Sequence, residues 1–209
     1  MINILIADDH PIVRHGLKQI LSDSAEIKVI AEAETCQETL SKVNSDKYDV
    51  ILLDLSMPGR GGLEIINEIR KSKHQPPVLI LTAYTEEQYA LRALKSGASG
   101  YLVKKSAPHE LVTAIKKVSS GGKYISLALA EKLAFSLAFD EKFPHEVLSN
   151  REYQVMSMIA SGKMVNEIAK ELALSVKTIS THRARILKKM GMKSNAEITY
   201  YAIKQGLVD

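Results

Sequence analysis

Five short apolar runs punctuate the first part of the chain: Ile2–Ala7, Lys28–Ala33, Val50–Asp54, Val78–Thr82 and Tyr101–Val103. Each is rich in Val, Ile or Leu and is bounded by Asp, Gly, Pro or Ser. Continuous rather than alternating runs belong to strands buried on both faces. Helical patterns lie between and after them, over Pro11–Ser22, Gln37–Asn44, Leu63–Lys71, Glu86–Ser96 and Pro108–Ser119. Pro11 and Pro108 fall in first turns, where the missing amide proton costs nothing. Gly97 and Gly121 fall where helices stop. Strands that alternate with helices predict a doubly wound parallel α/β domain, with its binding crevice at the carboxyl ends of the strands.

From about Gly122 the strand signal ends. Ser126–Phe139 reads as an Ala/Leu-rich helical stretch, and Asp140–Val147, with Pro144, as linker. Four helical segments follow without strands. Ser149 with Glu152, and Ser194 with Glu197, have the spacing of capping boxes. Gly162 and Gly191 separate helices. The expected organisation is residues 1–121, a partly helical linker 122–146, and a small all-α domain 147–209.

A chain of 209 residues accommodates this division. No run of about 18 apolar residues predicts a membrane span. The N-terminus lacks the basic flank and cleavage site of a signal peptide, so a cytoplasmic protein with no membrane partner is expected. The single cysteine, Cys36, cannot form an intramolecular disulfide and reads as a small, partly buried helix residue.

Charge changes the picture in the second half. Residues 1–124 carry 16 basic and 15 acidic side chains, whereas residues 146–209 carry 10 and 6. Between Glu171 and Glu197 stand six cations (Lys177, Arg183, Arg185, Lys188, Lys189, Lys193) and no carboxylate. Such a block suits a polyanion, although a solvated helix face has the same composition.

The candidate chemistry gathers at strand ends. Asp8 and Asp9 follow the first strand and Asp54 the third. Thr82 ends the fourth, and Lys104 follows the fifth. Clustered carboxylates need a cation, and hard oxygen ligands favour Mg²⁺. Acids, a metal, a hydroxyl and an amine on one rim suit a phosphoryl group, with a carboxylate as nucleophile. Each residue alone has a plainer reading: Asp8-Asp9 as a helix cap, Asp54 as a turn, Thr82 as strand, Lys104 as a solvated charge. The five together are the signal.

These five, the run Asp54-Leu-Ser-Met-Pro-Gly-Arg-Gly-Gly62, and Ala-Leu-Lys-Ser-Gly-Ala-Ser-Gly-Tyr-Leu-Val-Lys104 resemble the bacterial receiver domain over roughly residues 1–120. That resemblance implies a flavodoxin-like five-stranded fold with Asp54 as phosphoacceptor. It implies Mg²⁺ on Asp8, Asp9, Asp54 and the backbone carbonyl of Ser56. It implies Thr82 and Lys104 on the phosphoryl oxygens, and Tyr101 as a switch aromatic, for which plain core is the alternative. Ser56 and Tyr84 occupy variable positions that tune the lifetime of the phosphorylated state. Lys105 stands where many receivers have proline.

Leu148–Asp209 resembles the LuxR-type helix-turn-helix of NarL/FixJ-type regulators. Leu148-Ser-Asn-Arg-Glu152 looks like its opening, Glu167–Ser175 its scaffold helix and turn, and Val176–Met190 its recognition helix. Ile179, Ile186, Leu187 and Met190 are spaced for one apolar face. By resemblance Ser180, Thr181 and Ala184 face bases. Lys177, Thr178, His182, Arg183, Arg185 and Lys188 are candidates for the DNA backbone, and Arg183 or Arg185 for guanine. His182 also fits a packing role, and many relatives carry a cation where this chain has Ser180. Asn195–Gln205, with Ile198, Tyr200, Tyr201 and Ala202, resembles the output-domain dimer surface, with core packing as the other account.

The whole is identified as a phosphorylation-controlled regulator, not an enzyme. A sensor histidine kinase is the expected donor, DNA the target and a phosphorylated homodimer the expected assembly. A haloacid-dehalogenase-like phosphohydrolase uses a similar acid cluster but has a second Asp two residues after its nucleophile, where this chain has Ser56. A vestigial receiver on a constitutive DNA-binding protein is the third possibility.

Overall fold

The computed structural model describes residues 1–57, 62–83, 87–127, 129–131 and 143–208. They fall in two compact units, Met1–Phe135 and Ser136–Asp209. Among the described residues no helix is long and apolar enough to cross a membrane.

The first unit is a parallel five-stranded sheet: β1 (Ile2–Ala7), β2 (Ile27–Ala33), β3 (Val50–Leu53), β4 (Val78–Thr82) and β5 (Gly100–Val103). The strand order is β2-β1-β3-β4-β5. The order reverses between β1 and β3, the topological switch point where such sheets bind ligands. Helices α1 (Pro11–Ser22), α2 (Cys36–Ser45), α3 (Gly62–Lys71), α4 (Glu87–Lys95) and α5 (Ala107–Ser119) connect or follow the strands. The predicted elements are all present, with ends displaced by a residue or so. Pro11 and Pro108 sit in first turns, as expected, and Cys36 is buried.

Strand residues alternate between two cores. Ile4, Ile6, Val50, Leu52, Leu79 and Leu81 pack against Leu17 and Leu21 of α1 and Leu111, Ile115 and Val118 of α5. Their neighbours Leu5, Ile51, Leu53 and Ile80 are equally buried on the other face. Burial on both faces explains why the strands read as continuous apolar runs.

Two segments depart from a plain linker. Tyr124 pairs in parallel with Gly100 at the free edge of β5. Its carbonyl accepts from the Tyr101 amide at 2.8 Å, and its amide donates to Ser99 at 3.0 Å. Pro144–Val147 forms a 3-10 turn whose His145 is buried in the second unit. His145 Nδ1 lies 2.7 Å from the Tyr201 hydroxyl, and its ring stacks on Phe143. The predicted helix Ser126–Phe139 is seen at Leu127 and Leu129–Glu131; residues 128 and 132–139 lie outside the described residues.

The second unit consists of α6 (Asn150–Ala160), α7 (Val165–Glu171), α8 (Val176–Met190) and α9 (Asn195–Lys204). Ser149 and Glu152 close the expected capping box on α6. Ser194 caps α9, but Glu197 reaches back to the Lys193 amide, so that pair closes one residue earlier than predicted. Gly191 ends α8 at φ 68°, a left-handed position that favours glycine. Tyr153, Val155, Met156, Ile168, Ile179, Ile186 and Ile198 are buried in this unit.

Candidate functional site: an acidic pocket and a basic helix

The carboxyl ends of β1, β3, β4 and β5 bring the rim residues together. The Asp54 amide donates to the Ala7 carbonyl at 2.8 Å, so the ladder places Asp54 beside Asp8. Lys104 Nζ lies 2.7 Å from Asp8 Oδ2 and 2.7 Å from Asp54 Oδ2. The Ser56 amide donates to Asp54 Oδ1 at 3.2 Å. Asp8, Asp54 and Thr82 are buried. Oxygens of Asp8, Asp9 and Asp54 and a nitrogen of His10 lie within 4.8 Å of one another.

Burial pushes the Asp54 carboxyl up and the Asp8 charge adds to this, while Lys104 and the Ser56 amide only partly oppose it. Burial would lower the Lys104 ammonium, yet the two carboxylates beside it hold it above its ordinary range. One ammonium thus bridges two of three neighbouring carboxylates, and the cluster is formally short of positive charge. A divalent cation would supply that charge, and the three carboxylates are hard oxygen donors of the kind Mg²⁺ favours.

Gly62, at the start of α3, lies close against the backbone that follows Asp54. A Cβ on Gly62 would come within 2.5 Å of the Leu55 Cα, which explains the glycine there. Residues 58–61 and Tyr84 lie outside the described residues. Tyr101 is buried, with its ring inside the fold. Lys105 sits in a 3-10 turn, Lys104–Ser106, that leads into α5.

Sequence reasoning missed two neighbours of the acids. His10 Nδ1 lies 2.9 Å from Asp9 Oδ1. Arg14 is buried, and its Nη1 donates to the Asp8 carbonyl at 2.8 Å. Its signal was present: Arg14, Leu17 and Leu21 share one helix face, so a cation occupies a core-facing position.

In the second unit α8 begins at Ser175, whose hydroxyl accepts from the Thr178 amide. Ile179, Ile186 and Met190 are buried, and Leu187 is half-buried. Lys177, Ser180, Thr181, Ala184, Arg185 and Lys188 are exposed on the other side. Thr178, His182 and Arg183 are half-buried, and Arg183 Nε donates to Asn195 Oδ1 at 2.5 Å. Lys189 pairs with Glu152 at 2.6 Å. On α9, Ile198 and Ala202 are buried while Tyr200 and Ile203 are exposed, so the helix has both a core face and an apolar surface.

Comparison with known proteins bears directly on this pairing of pocket and helix. Residues 4–116 match the response regulator receiver domain, and residues 146–202 match the luxR family of bacterial regulatory proteins. The chain belongs to the response regulator family. It is 41% identical over 209 residues to the response regulator UvrY of Escherichia coli K12, covering 99% of this chain and 96% of that one. It is 38% identical to the response regulator GacA of Pseudomonas protegens, covering 100% and 99%. Among solved structures, RcsB of Salmonella typhimurium matches with 28% identity and a TM-score of 0.71, covering 96% of each chain. An RcsB–DNA complex matches with a TM-score of 0.61, 28% identity and the same coverage. This response regulator is therefore of the NarL/FixJ type: a receiver followed by a LuxR-type helix-turn-helix, acting as a phosphorylation-dependent transcription regulator.

Proposed function

We propose that Asp54 takes a phosphoryl group from a sensor histidine kinase, and that the new charge changes domain contacts or dimerisation and so DNA binding through α8. The observation that carries this reading is the shared ammonium: Lys104 Nζ at 2.7 Å from both Asp8 and Asp54, with Asp9 adjoining. An Asp54 oxygen attacks phosphorus, the P–N bond of the phosphohistidine breaks, and the imidazole nitrogen keeps the electron pair and takes up a proton. Asp8, Asp9, Asp54 and the Ser56 carbonyl would hold Mg²⁺, which would supply charge stabilisation for this transfer. Lys104 follows the charge onto the phosphoryl oxygens, and Thr82 donates its hydroxyl to them. Tyr101, on β5 opposite Ile80 and two residues before the register partner of Thr82, reports that engagement to the surface. The protein's role is regulatory, not that of an enzyme on a diffusible substrate.

On α8, Ser180, Thr181 and Ala184 face bases in the major groove. Lys177, Thr178, His182, Arg183, Arg185 and Lys188 lie toward the DNA backbone. Arg183 is half-buried and its Nε is engaged by Asn195, so the exposed Lys177, Arg185 and Lys188 carry most of that contact. Exposed Tyr200 and Ile203 on α9 fit a homodimer contact. RcsB supports the dimer and DNA parts of this reading: its solved forms include two dimers bound to two DNAs and a promoter complex in the presence of the phosphomimetic BeF₃⁻. A DNA-bound regulator works in the cytoplasm. The domain bounds proposed are 1–121, 122–146 and 147–209, with the two ends of the linker held at Tyr124 on the β5 edge and at His145 in the helical unit.

The test is sedimentation and DNA binding of wild type and Asp54→Ala in Mg²⁺, with and without beryllofluoride. Dimers and tighter DNA binding in wild type alone are expected. Identical behaviour with and without beryllofluoride, with DNA binding intact, would point to a constitutive regulator with a vestigial receiver.

A further inference from the structure

The β1–α1 turn carries both Asp8 and Asp9, and its backbone is held from two sides. The Asp8 amide donates to the Ala33 carbonyl at 3.0 Å, the last bond toward β2. The Asp8 carbonyl lies past the end of β1 and accepts instead from Arg14 Nη1 at 2.8 Å, in a buried contact. The same guanidinium donates through Nε to Glu32 Oε2 at 3.0 Å and through Nη2 to Glu34 Oε1 at 2.5 Å. Lys18 holds the other oxygen of Glu32 at 2.5 Å. Arg14 is thus locked on β2 and offers its remaining arm to one carbonyl.

We propose that Arg14 is a positioning residue for the acidic pocket: by fixing the Asp8 carbonyl it sets the plane of the Asp8–Asp9 peptide and therefore the direction of the Asp9 carboxylate. A peptide is rigid, so a clamp on the carbonyl of one residue orients the next. Asp9 depends on such a clamp because its carboxylate, unlike those of Asp8 and Asp54, has no bond to Lys104 among the ion pairs described, and the side chain beside it, His10 at 2.9 Å, is itself exposed and follows it on the same turn. Lysine cannot replace this group, because the planar fork meets three acceptors in fixed directions and an ammonium does not. Glu32 and Glu34 balance the charges of Arg14 and Lys18, so the effect of Arg14 on the pocket is geometric rather than a long-range field.

The inference rests on the pocket being a divalent-cation site, and the test separates the two. Mg²⁺ and Mn²⁺ binding to the unphosphorylated full chain is measured by calorimetry for wild type, Arg14→Lys, Arg14→Gln, Glu34→Gln and Asp9→Asn, with thermal melts of each. Phosphorylation by acetyl phosphate is followed as a function of Mg²⁺. Loss of an orienting partner typically weakens metal binding on the order of tenfold or more, and that loss is expected for both Arg14 variants. The half-saturating Mg²⁺ concentration for phosphorylation rises in step, while the rate at saturating Mg²⁺ stays close to that of wild type. Glu34→Gln, at an exposed carboxylate, gives a smaller loss in the same direction and carries the test if the Arg14 variants do not fold. Unchanged metal affinity in folded Arg14 variants, or in Glu34→Gln when those do not fold, overturns the proposal. A lower saturating rate without a shift in half-saturation also overturns it. Wild type that binds neither ion, or Asp9→Asn that binds as wild type does, would overturn the cation-site reading itself.

Discussion

The acidic pocket and the basic helix handle charge in opposite ways. The pocket buries it: Asp8 and Asp54 are nearly inaccessible and share one ammonium at 2.7 Å. Helix α8 displays it: Lys177, Arg185 and Lys188 stand exposed along its length. Buried charges in low dielectric act as a set, since removing one strands the others. Exposed cations act nearly independently and are screened by salt. A switch is built from the first arrangement and a graded grip on a polyanion from the second.

The sharpest way to break this contrast is at Asp54. Asp54→Asn should abolish acyl-phosphate formation, read by mass spectrometry after incubation with acetyl phosphate and Mg²⁺. Retained labelling at another residue would show that the buried set does not act through one acceptor. Next in size is the stripe beneath the displayed cations. Ile186 is fully buried, and Ile186→Ala should cost roughly 2–5 kcal/mol, most of the stability of so small a unit. Thermal melts should then show the helical unit unfolding well before the receiver. A melt unchanged from wild type would mean that α8 does not depend on its buried face.

A graded effect is expected from the exposed cations. Lys177→Ala, Arg185→Ala and Lys188→Ala should each lower the slope of log affinity against log salt by about one, without a change of preferred sequence at Lys177 and Lys188. A single variant that abolishes binding would contradict the additive picture. The smallest effect concerns Glu152. Burial alone would raise its carboxyl, but Lys189 and the Ser149 amide hold it below the ordinary value. Its contribution is therefore complete above about pH 4.3, the ordinary glutamate value, and fades as pH falls through the depressed one. Glu152→Gln should flatten the acid side of the helical unit's stability profile. A Gln variant with the wild-type acid slope would remove Glu152 from that account.

The same division between buried and displayed charge governs how much could be read in advance. Val50–Leu53 and Val78–Thr82 are apolar throughout because both faces are covered, and so they were legible as strands within a residue. The five rim residues were legible because a parallel sheet delivers strand ends to one side. Arg14 was legible only as a cation on a core-facing position, since its role depends on Glu32 and Glu34 arriving from β2 and the residue after it, which no local period records. His145 was assigned to linker because Pro144 and nearby charge outweigh one aromatic ring in a sequence pattern. Its partner Tyr201 lies 56 residues away. The basic stretch was legible as a block, but that Lys189 is tied to Glu152 and Arg183 to Asn195 emerges only from packing.

The short bridge between Tyr124 and Gly100 bears on how the receiver can be isolated. β5 is the outer strand of its sheet, and the Tyr124 backbone occupies both the Ser99 carbonyl and the Tyr101 amide there. The Tyr124 hydroxyl is tied to Glu110 at 2.6 Å, and burial together with that carboxylate pushes it up to about 12. A fragment cut at Gly121 would bare this strand edge and invite end-to-end association of sheets. A fragment carried past Tyr124 keeps the edge covered and should remain monomeric at concentrations where the shorter one does not.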